Sequence, residues 1–273
     1  MLLIQRFILL ICCCFLNCNA LQCLTNCSYT FNFDTPFNVP SRCNQQVSAE
    51  KCRVQLTFWY YLQEYVVNFE AEPSKTIIST DNQRTTMIEI KPTESFFFYY
   101  GISHTCTNGD SCAQEFAQIA VYEIIKRQIN YLAIVNELRP LILTAPQSAN
   151  DSDLACFNSN ENVRQCAIAN IHGTCTISDK LIENEIIHSC SNDMHTKMSY
   201  LNISDSGSYA TFNINCNRPL CNGQLTLKAV KDIMFKYNVT VSPQGRLNNG
   251  SQFIKISSWL MMIIIVTILI NLN

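Results

Sequence analysis

The sequence predicts a mainly β protein with helices (α+β), built from two small disulfide-rich modules. Three observations lead to this prediction: sixteen cysteines in 273 residues, short strand-like segments between those cysteines, and a helical segment after each set of them. A composition of 48% hydrophobic and 15% charged residues excludes intrinsic disorder. The formal net charge of -2 provides no basic surface for nucleic acid. Cysteines this frequent are typical of disulfide-bonded proteins outside the cytosol.

Residues 1–20 have the pattern of a secretory signal peptide. Arg6 precedes a short apolar stretch, and the small residue Ala20 ends it. An N-terminal membrane anchor is the alternative, but the apolar stretch is short for one. Cleavage after Ala20 removes four cysteines and leaves twelve, an even number that indicates a disulfide framework.

The first module is predicted over residues 21–143 and contains half of these cysteines. They are Cys23, Cys27, Cys43, Cys52, Cys106 and Cys112. Strand-like segments include Val54–Leu62, Thr76–Ser79, Thr85–Ile90 and Ser95–Ile102. After the last cysteine, Ala117, Ala120, Val121 and Ile124 recur at helical spacing, which predicts a helix over about residues 113–135.

Two aromatic strings in this module do not alternate as a half-buried strand would. They are FWYYL at 58–62 and FFFYY at 96–100, so both faces of the predicted sheet carry rings. The trailing helix can cover one face. The rings of the other face are either core or a candidate contact surface, and the sequence leaves this open.

The second module is predicted over residues 154–240, after a polar linker at 144–153. Its cysteines are Cys156, Cys166, Cys175, Cys190, Cys216 and Cys221. Leu181–His188 and Tyr209–Asn215 are strand-like, and Val230, Ile233 and Met234 predict a helix over about 224–237. Both cysteine sets open with Leu-x-Cys, contain one pair separated by eight residues, and close with a narrow pair. These shared details indicate an internal duplication.

The C-terminus has the pattern of a GPI-attachment signal. A spacer at 241–258 contains the candidate attachment site Asn249 (or Gly250), and an apolar tail follows at 259–273. A single-pass helix is the alternative, but reaching about 20 apolar residues requires including Lys255. In both cases the protein enters the secretory pathway and is held at the outer face of the plasma membrane. Candidate glycosylation sites agree with this topology, and they are Asn26, Asn150, Asn202 and Asn238.

The string NCNRPLCN, at 215–222, resembles the terminal signature of the three-finger superfamily of the urokinase receptor and snake toxins. Together with the opening Leu154-x-Cys156, the resemblance spans residues 154–222 and identifies the chain as a divergent member. It implies a three-finger-like antiparallel sheet in each module and a structural role for Asn222 at the base of the loops. The chain departs from the family pattern because Asn215 stands where a second adjacent cysteine is usual.

The resemblance also implies disulfide partners. In the second module they are Cys156–Cys175, Cys166–Cys190 and Cys216–Cys221. By analogy, the first module has Cys23–Cys52, Cys27–Cys43 and Cys106–Cys112. The first module matches less closely, since Ala113 replaces the Asn that follows the closing pair.

Catalytic and metal motifs are absent from the sequence. The four histidines, His104, His172, His188 and His195, lie near cysteines, but the spacings match no zinc pattern. We therefore expect no catalytic residues, no metal and no cofactor. The predicted function is non-enzymatic adhesion or receptor-type binding of an extracellular protein, through binding residues that the sequence does not reveal. The alternatives are a structural surface coat, a single-pass membrane protein and a secreted hydrolase.

Overall fold

The computed structural model describes residues 20–72, 82–93, 95–143, 154–166, 173–191 and 198–247. The described residues are 44% strand and 21% helix, which confirms a mainly β fold with helices. The expected signal peptide, linker, attachment site and tail lie outside these residues, as does the expected strand Thr76–Ser79. No helix in the described ranges is long and apolar enough to cross a bilayer.

The first half of the chain forms seven strands and two helices. The strands are β1 (Leu21–Leu24), β2 (Cys27–Asn32), β3 (Gln46–Ala49), β4 (Lys51–Trp59), β5 (Glu64–Glu72), β6 (Asn82–Ile90) and β7 (Phe96–Cys106). The helices are α1 (Cys112–Lys126) and α2 (Tyr131–Ile142).

The second half forms six strands and one helix. The strands are β8 (Ala155–Phe157), β9 (Val163–Gln165), β10 (Thr174–Lys180), β11 (Glu185–Ser191), β12 (Ser199–Asp205) and β13 (Ala210–Cys216), and the helix is α3 (Gln224–Lys236). The sequence places a strand over Leu181–His188, but residues 181–184 form the turn between β10 and β11. Asn184 has a positive φ of 53°, which an asparagine tolerates in a tight turn.

Nine strands form one antiparallel sheet that runs through both halves. The order is β11-β10-β13-β12-β6-β7-β4-β5-β2, and β1-β3 and β8-β9 form two small separate sheets. The second half therefore contributes β11-β10-β13-β12, and the first contributes the matching order β5-β4-β7-β6 with β2 added outside it. The sequence predicts a separate sheet in each module, whereas β6 and β12 pair and make the sheet continuous.

The pairing of β6 with β12 relates the two halves by an approximate two-fold axis. Cys52 pairs with Cys106 in the first half, as Cys175 pairs with Cys216 in the second. Five residues before Cys106, Gly101 pairs with Thr85. Five residues before Cys216, Thr211 pairs with Ser204. Thr85 and Ser204 are thus equivalent positions. They pair with each other where β6 meets β12, which we call the junction.

The sheet has a covered face, on which the helices pack, and an open face. β4 shows the alternation directly, because every second residue is buried. Helix α1 packs on β4 and β7, while α2 packs on β6, β13 and α3. Large buried side chains of the covered face fill the core between these layers, and they include Phe58, Tyr65, Phe98, Tyr100 and Phe212.

The structure contains two helices where the sequence predicts one over about 113–135. Helix α1 ends at Lys126, and the side chain of Asn130 caps α2 by accepting a hydrogen bond from the Ala133 N–H at 3.1 Å. Asparagine is a favoured N-cap, so Asn130 is the sequence signal for this break. The break redirects the chain so that α2 lies over the junction of the two halves.

Candidate binding surface on the open face

Six disulfides link the described cysteines, and they are the six pairs that the family resemblance implies. They are Cys23–Cys52, Cys27–Cys43, Cys106–Cys112, Cys156–Cys175, Cys166–Cys190 and Cys216–Cys221. Each bond stays within one half. The sulfurs of Cys156, Cys166 and Cys190 lie close together, but all three are oxidised and offer no thiolate to a metal.

Asn222 connects three segments of the second half. Its side-chain oxygen accepts the N–H of Phe157 at 3.0 Å, and its amide donates to the carbonyl of Phe157 at 2.8 Å. The same amide group lies 3.2 Å from the Thr176 carbonyl and 3.4 Å from that of Ser189. Asn222 is fully buried, so these bonds hold β8, β10 and β11 together at one end of the sheet.

Two of the four histidines have defined structural positions. His188 is buried, and its Nδ1 lies 2.7 Å from the carbonyl oxygen of Asn222. His104 stacks on Phe116 of α1, with 3.7 Å between ring centroids. Both rings therefore serve packing within their own halves. His172 and His195 lie outside the described residues.

A buried ion pair fixes the segment after α3. Both carboxylate oxygens of Asp205 bind the guanidinium of Arg246, at 2.8 and 2.9 Å, and Asp205 is fully buried. The same carboxylate accepts the N–H groups of Leu247 and Gly207. These bonds secure residues 238–247 against the covered side of β12.

Two tyrosines in the core have raised pKa values. Burial raises the pKa of Tyr65 to about 12. Burial also raises the pKa of Tyr60, and the neighbouring Tyr100 adds to this, while Arg127 opposes it. The Tyr60 hydroxyl has no hydrogen-bond partner within the described part of the chain.

The remaining shifts belong to surface ion pairs. Hydrogen bonds from Lys236 and Tyr237 lower the pKa of Glu137, which joins α2 to α3. The bond to Glu137 correspondingly raises the pKa of Lys236, and the bond to Glu185 raises that of Lys180. These groups lie in two separate places on the surface and do not form one cleft.

The two aromatic strings divide between the faces of the sheet. Phe58, Tyr60, Phe98 and Tyr100 are buried under the helices. The intervening residues of the same strands, Trp59, Phe97 and Tyr99, lie on the open face and are only half-buried. The sequence left open whether the rings of these strings are core or surface. In the structure, one set of rings is core and the other is surface.

The open-face rings form a compact group, which we call the aromatic cluster and define as Trp59, Tyr61, Phe97 and Tyr99. Centroids lie 5.1 Å apart for Trp59–Phe97, 5.5 Å for Trp59–Tyr99 and 5.6 Å for both Tyr61–Phe97 and Phe97–Tyr99. These separations are usual for interacting rings. Tyr61 is 38% exposed, so the cluster offers a rigid apolar surface next to solvent.

A single row of paired residues connects the cluster with the junction. Trp59 pairs with Tyr99, Tyr99 with Met87, and Met87 with Asn202 of β12. Directly paired residues of adjacent strands point to the same face. Asn202, one of the predicted glycosylation sites, therefore lies half-buried on the open face beside the cluster.

The other predicted glycosylation sites lie away from this row. Asn26 is exposed just before β2, and its amide donates to the Gln45 side chain at 3.2 Å. Asn238 is exposed after the end of α3. Asn150 lies outside the described residues.

Other parts of the open face, away from the cluster, carry polar contacts. In the second half, Ser178 donates to the side chain of Asn213 at 2.6 Å. In the first half, Arg53 pairs with Glu72 at 2.9 Å. An apolar centre with a polar surround is the usual composition of a protein contact surface.

A second exposed apolar feature lies on the outer side of α1. A groove of about 690 Å³ runs between this helix and residues 33–37, and its lining includes Phe33, Phe37, Ile119 and Tyr122. Tyr122 is 67% exposed and Ile119 50%. The cysteine and strand patterns of the sequence do not predict this groove. Its signal was the apolar pair Ile119 and Tyr122, which falls outside the buried stripe of α1.

The chain matches no protein-family model and no curated protein.

Proposed function

We propose that this protein is a non-enzymatic, glycosylated cell-surface module that binds an extracellular protein, as an adhesion molecule or receptor does. The aromatic cluster is the centre of the proposed contact surface. Secretion, glycosylation at the four sequons and attachment through a GPI anchor at Asn249 (or Gly250) are parts of the same proposal, based on the sequence patterns at the two ends. The resemblance to the three-finger superfamily supports it as well, because that scaffold commonly displays binding surfaces.

The observation that carries this proposal is the half-exposed aromatic cluster on the sheet face that none of the described helices covers. Tryptophan and tyrosine are enriched among the residues that dominate binding energy at protein interfaces. Trp59, Phe97 and Tyr99 lie on β4 and β7, which pair with each other along their length, so little conformational entropy is lost when a partner binds. A structural coat protein would have no need for such a surface.

The test uses the full chain in fluorescent liposomes and, as the probe, intact cells of the protein's own species. We expect the liposomes to bind the cells and expect Tyr61→Ala to weaken binding about ten-fold, as loss of a contact worth about 1.4 kcal/mol does. Tyr122→Ala is the matched control, because it removes an exposed ring from α1 instead. Protease treatment of the cells should abolish binding if the partner is a protein.

Two results would contradict the proposal. Liposomes that bind no cells with either the native Asn202 sequon or Ser204→Ala would favour the coat alternative, and equal effects of the two tyrosine substitutions would exclude the aromatic cluster as the contact. The comparison is made both with the native sequon at Asn202 and with Ser204→Ala, because a glycan at this position would affect access to the cluster.

A further inference from the structure

Asn202 occupies an unusual place for a glycosylation site, in the middle of a sheet rather than in a loop. It lies on β12, which is paired on one side with β6 and on the other with β13. Its side chain points out of the open face, so a glycan leaves both sets of backbone hydrogen bonds intact. Of the three predicted sites in the described residues, it alone shares a row with the aromatic cluster.

The distance from Asn202 to the cluster is short. Met87 is its direct neighbour on β6, and Tyr99 is the next residue of the row, on β7. Because neighbouring strands lie about 4.8 Å apart, Asn202 and Tyr99 are separated by about 10 Å. The first two sugar rings of an N-linked glycan extend over a comparable distance.

The chemistry of the row favours one direction for the glycan. A pyranose ring has an apolar C–H face, and aromatic rings and thioethers offer it an apolar surface. Tyr200 lies two residues before Asn202 on the same face and is half-buried, so it flanks the first sugar. Towards the second half the row continues with Asn213 and Ser178, whose side chains bind each other and give no apolar surface.

We propose that an N-linked glycan on Asn202 folds over Met87 and Tyr99 and covers the aromatic cluster. Occupancy of this sequon then determines whether the cluster is open to a protein partner. The inference rests on the proposed extracellular function, since it requires passage through the secretory pathway. A covalent modification at Asn202 would thus regulate access to the proposed binding surface.

Trp59 provides a reporter inside the cluster. The chain has two tryptophans, and the other is Trp259 in the apolar tail, so Trp259→Phe makes Trp59 the single emitter whether or not GPI attachment removes that tail. We would express the full chain with this change in eukaryotic cells, purify it in detergent, and map glycan occupancy at Asn202 by mass spectrometry. Acrylamide quenching then reports how accessible the Trp59 ring is.

Two variants remove the glycan in different ways: Ser204→Ala keeps the asparagine, and Asn202→Gln replaces it. In both we expect the quenching constant of Trp59 to rise by a factor of about two, as exposure of one ring face should produce. Asn238→Asp is the matched control. It removes another predicted sequon and keeps a residue type that tolerates the positive φ of 58° at this position, so quenching should match the parent.

An unmodified Asn202 overturns the inference, and so does equal quenching of Trp59 with and without the glycan. Circular dichroism identifies any variant that fails to fold. If one of the two sequon variants is misfolded, the quenching of Trp59 in the other variant tests the inference. The proposed function can fail separately. If removal of the glycan exposes Trp59 but neither form of the protein binds cells, the glycan does cover the cluster and the proposed binding function is wrong.

Discussion

Asn222 binds the backbone of Phe157 at both of its polar groups, accepting its N–H at 3.0 Å and donating to its carbonyl at 2.8 Å. This contact links the residue after the last disulfide of the second half with the strand that opens that half. Its position shows how a single amide side chain fixes one end of the second half.

Replacing Asn222 with alanine should destabilise the protein strongly. We expect the free energy of unfolding to fall by about 2 to 4 kcal/mol, since each buried polar group left without a partner costs about 1 to 3 kcal/mol. Urea denaturation followed by circular dichroism measures this. Gln224→Ala serves as the control, because that exposed side chain should change stability by less than about 0.5 kcal/mol. A similar small change for Asn222→Ala would refute the structural role.

The protein should lose stability in alkali because of its two core phenols. Tyr60 and Tyr65 have folded pKa values raised above the unfolded value of about 10. Their contribution is therefore fully present below about pH 10 and declines as the pH rises above it, because only the unfolded chain then releases these protons. Ultraviolet absorbance of phenolate should show two tyrosines that ionise well after the exposed ones.

Tyr60→Phe separates the two phenols in this experiment. It should remove one late-ionising group and leave stability at neutral pH unchanged or higher, because the Tyr60 hydroxyl has no partner among the described residues. If all tyrosines titrate together near pH 10, the burial of both hydroxyls is wrong.

Asp205→Asn should release the segment after α3. The substitution leaves the Arg246 guanidinium, which is 25% exposed, without its charge partner, so we expect a cost below the roughly 3 to 5 kcal/mol of breaking a fully buried ion pair. Hydrogen exchange should increase in residues 238–247, while α1 stays protected. Lys228→Gln, which breaks the exposed pair with Asp232, should cost less than about 0.5 kcal/mol. Unchanged exchange in Asp205→Asn would contradict the proposed anchoring of this segment.

Cutting the chain between the halves should separate it only under denaturing conditions. No disulfide among the described cysteines crosses from one half to the other, but β6 pairs with β12 and α2 packs on α3. With a protease site inserted at 144–153, the cut protein should elute as one species from a sizing column and run as two bands on a non-reducing denaturing gel. Two species on the column would contradict the continuous sheet, and one band on the gel would reveal a crossing disulfide.

Much of the fold was predictable because its signals are local. Cysteine spacing and helical periodicity around Val121 and Val230 depend on nearby residues, and they gave the fold class and the helix faces. The break before Asn130 was missed, because the helical spacing of apolar residues gives no sign that an N-cap residue interrupts the helix. The strand β5 was also missed, although Tyr65, Val67 and Phe69 alternate with more exposed residues as a half-buried strand requires.

The junction and the candidate site depend on long-range pairing. Nothing near Ile88 or Leu201 in the sequence shows that β6 and β12 are neighbours. The aromatic strings indicated that rings lie on both faces, yet which alternate set lies under α1 depends on the register of β4 with β7. Asn202 was recognisable as a sequon, but its place beside Tyr99 required the whole row of paired strands.

The pairing of Thr85 with Ser204 bears on the ancestry of this protein. Equivalent strands that meet at equivalent positions reproduce the contact of a symmetric homodimer, in which each subunit offers the same edge. An ancestral single-copy protein with this sheet would have had that edge exposed, and self-association would have closed it. If the two halves arose by duplication, gene fusion would have made the two subunits one polypeptide and allowed them to diverge, and among the described residues the aromatic cluster belongs to the first half.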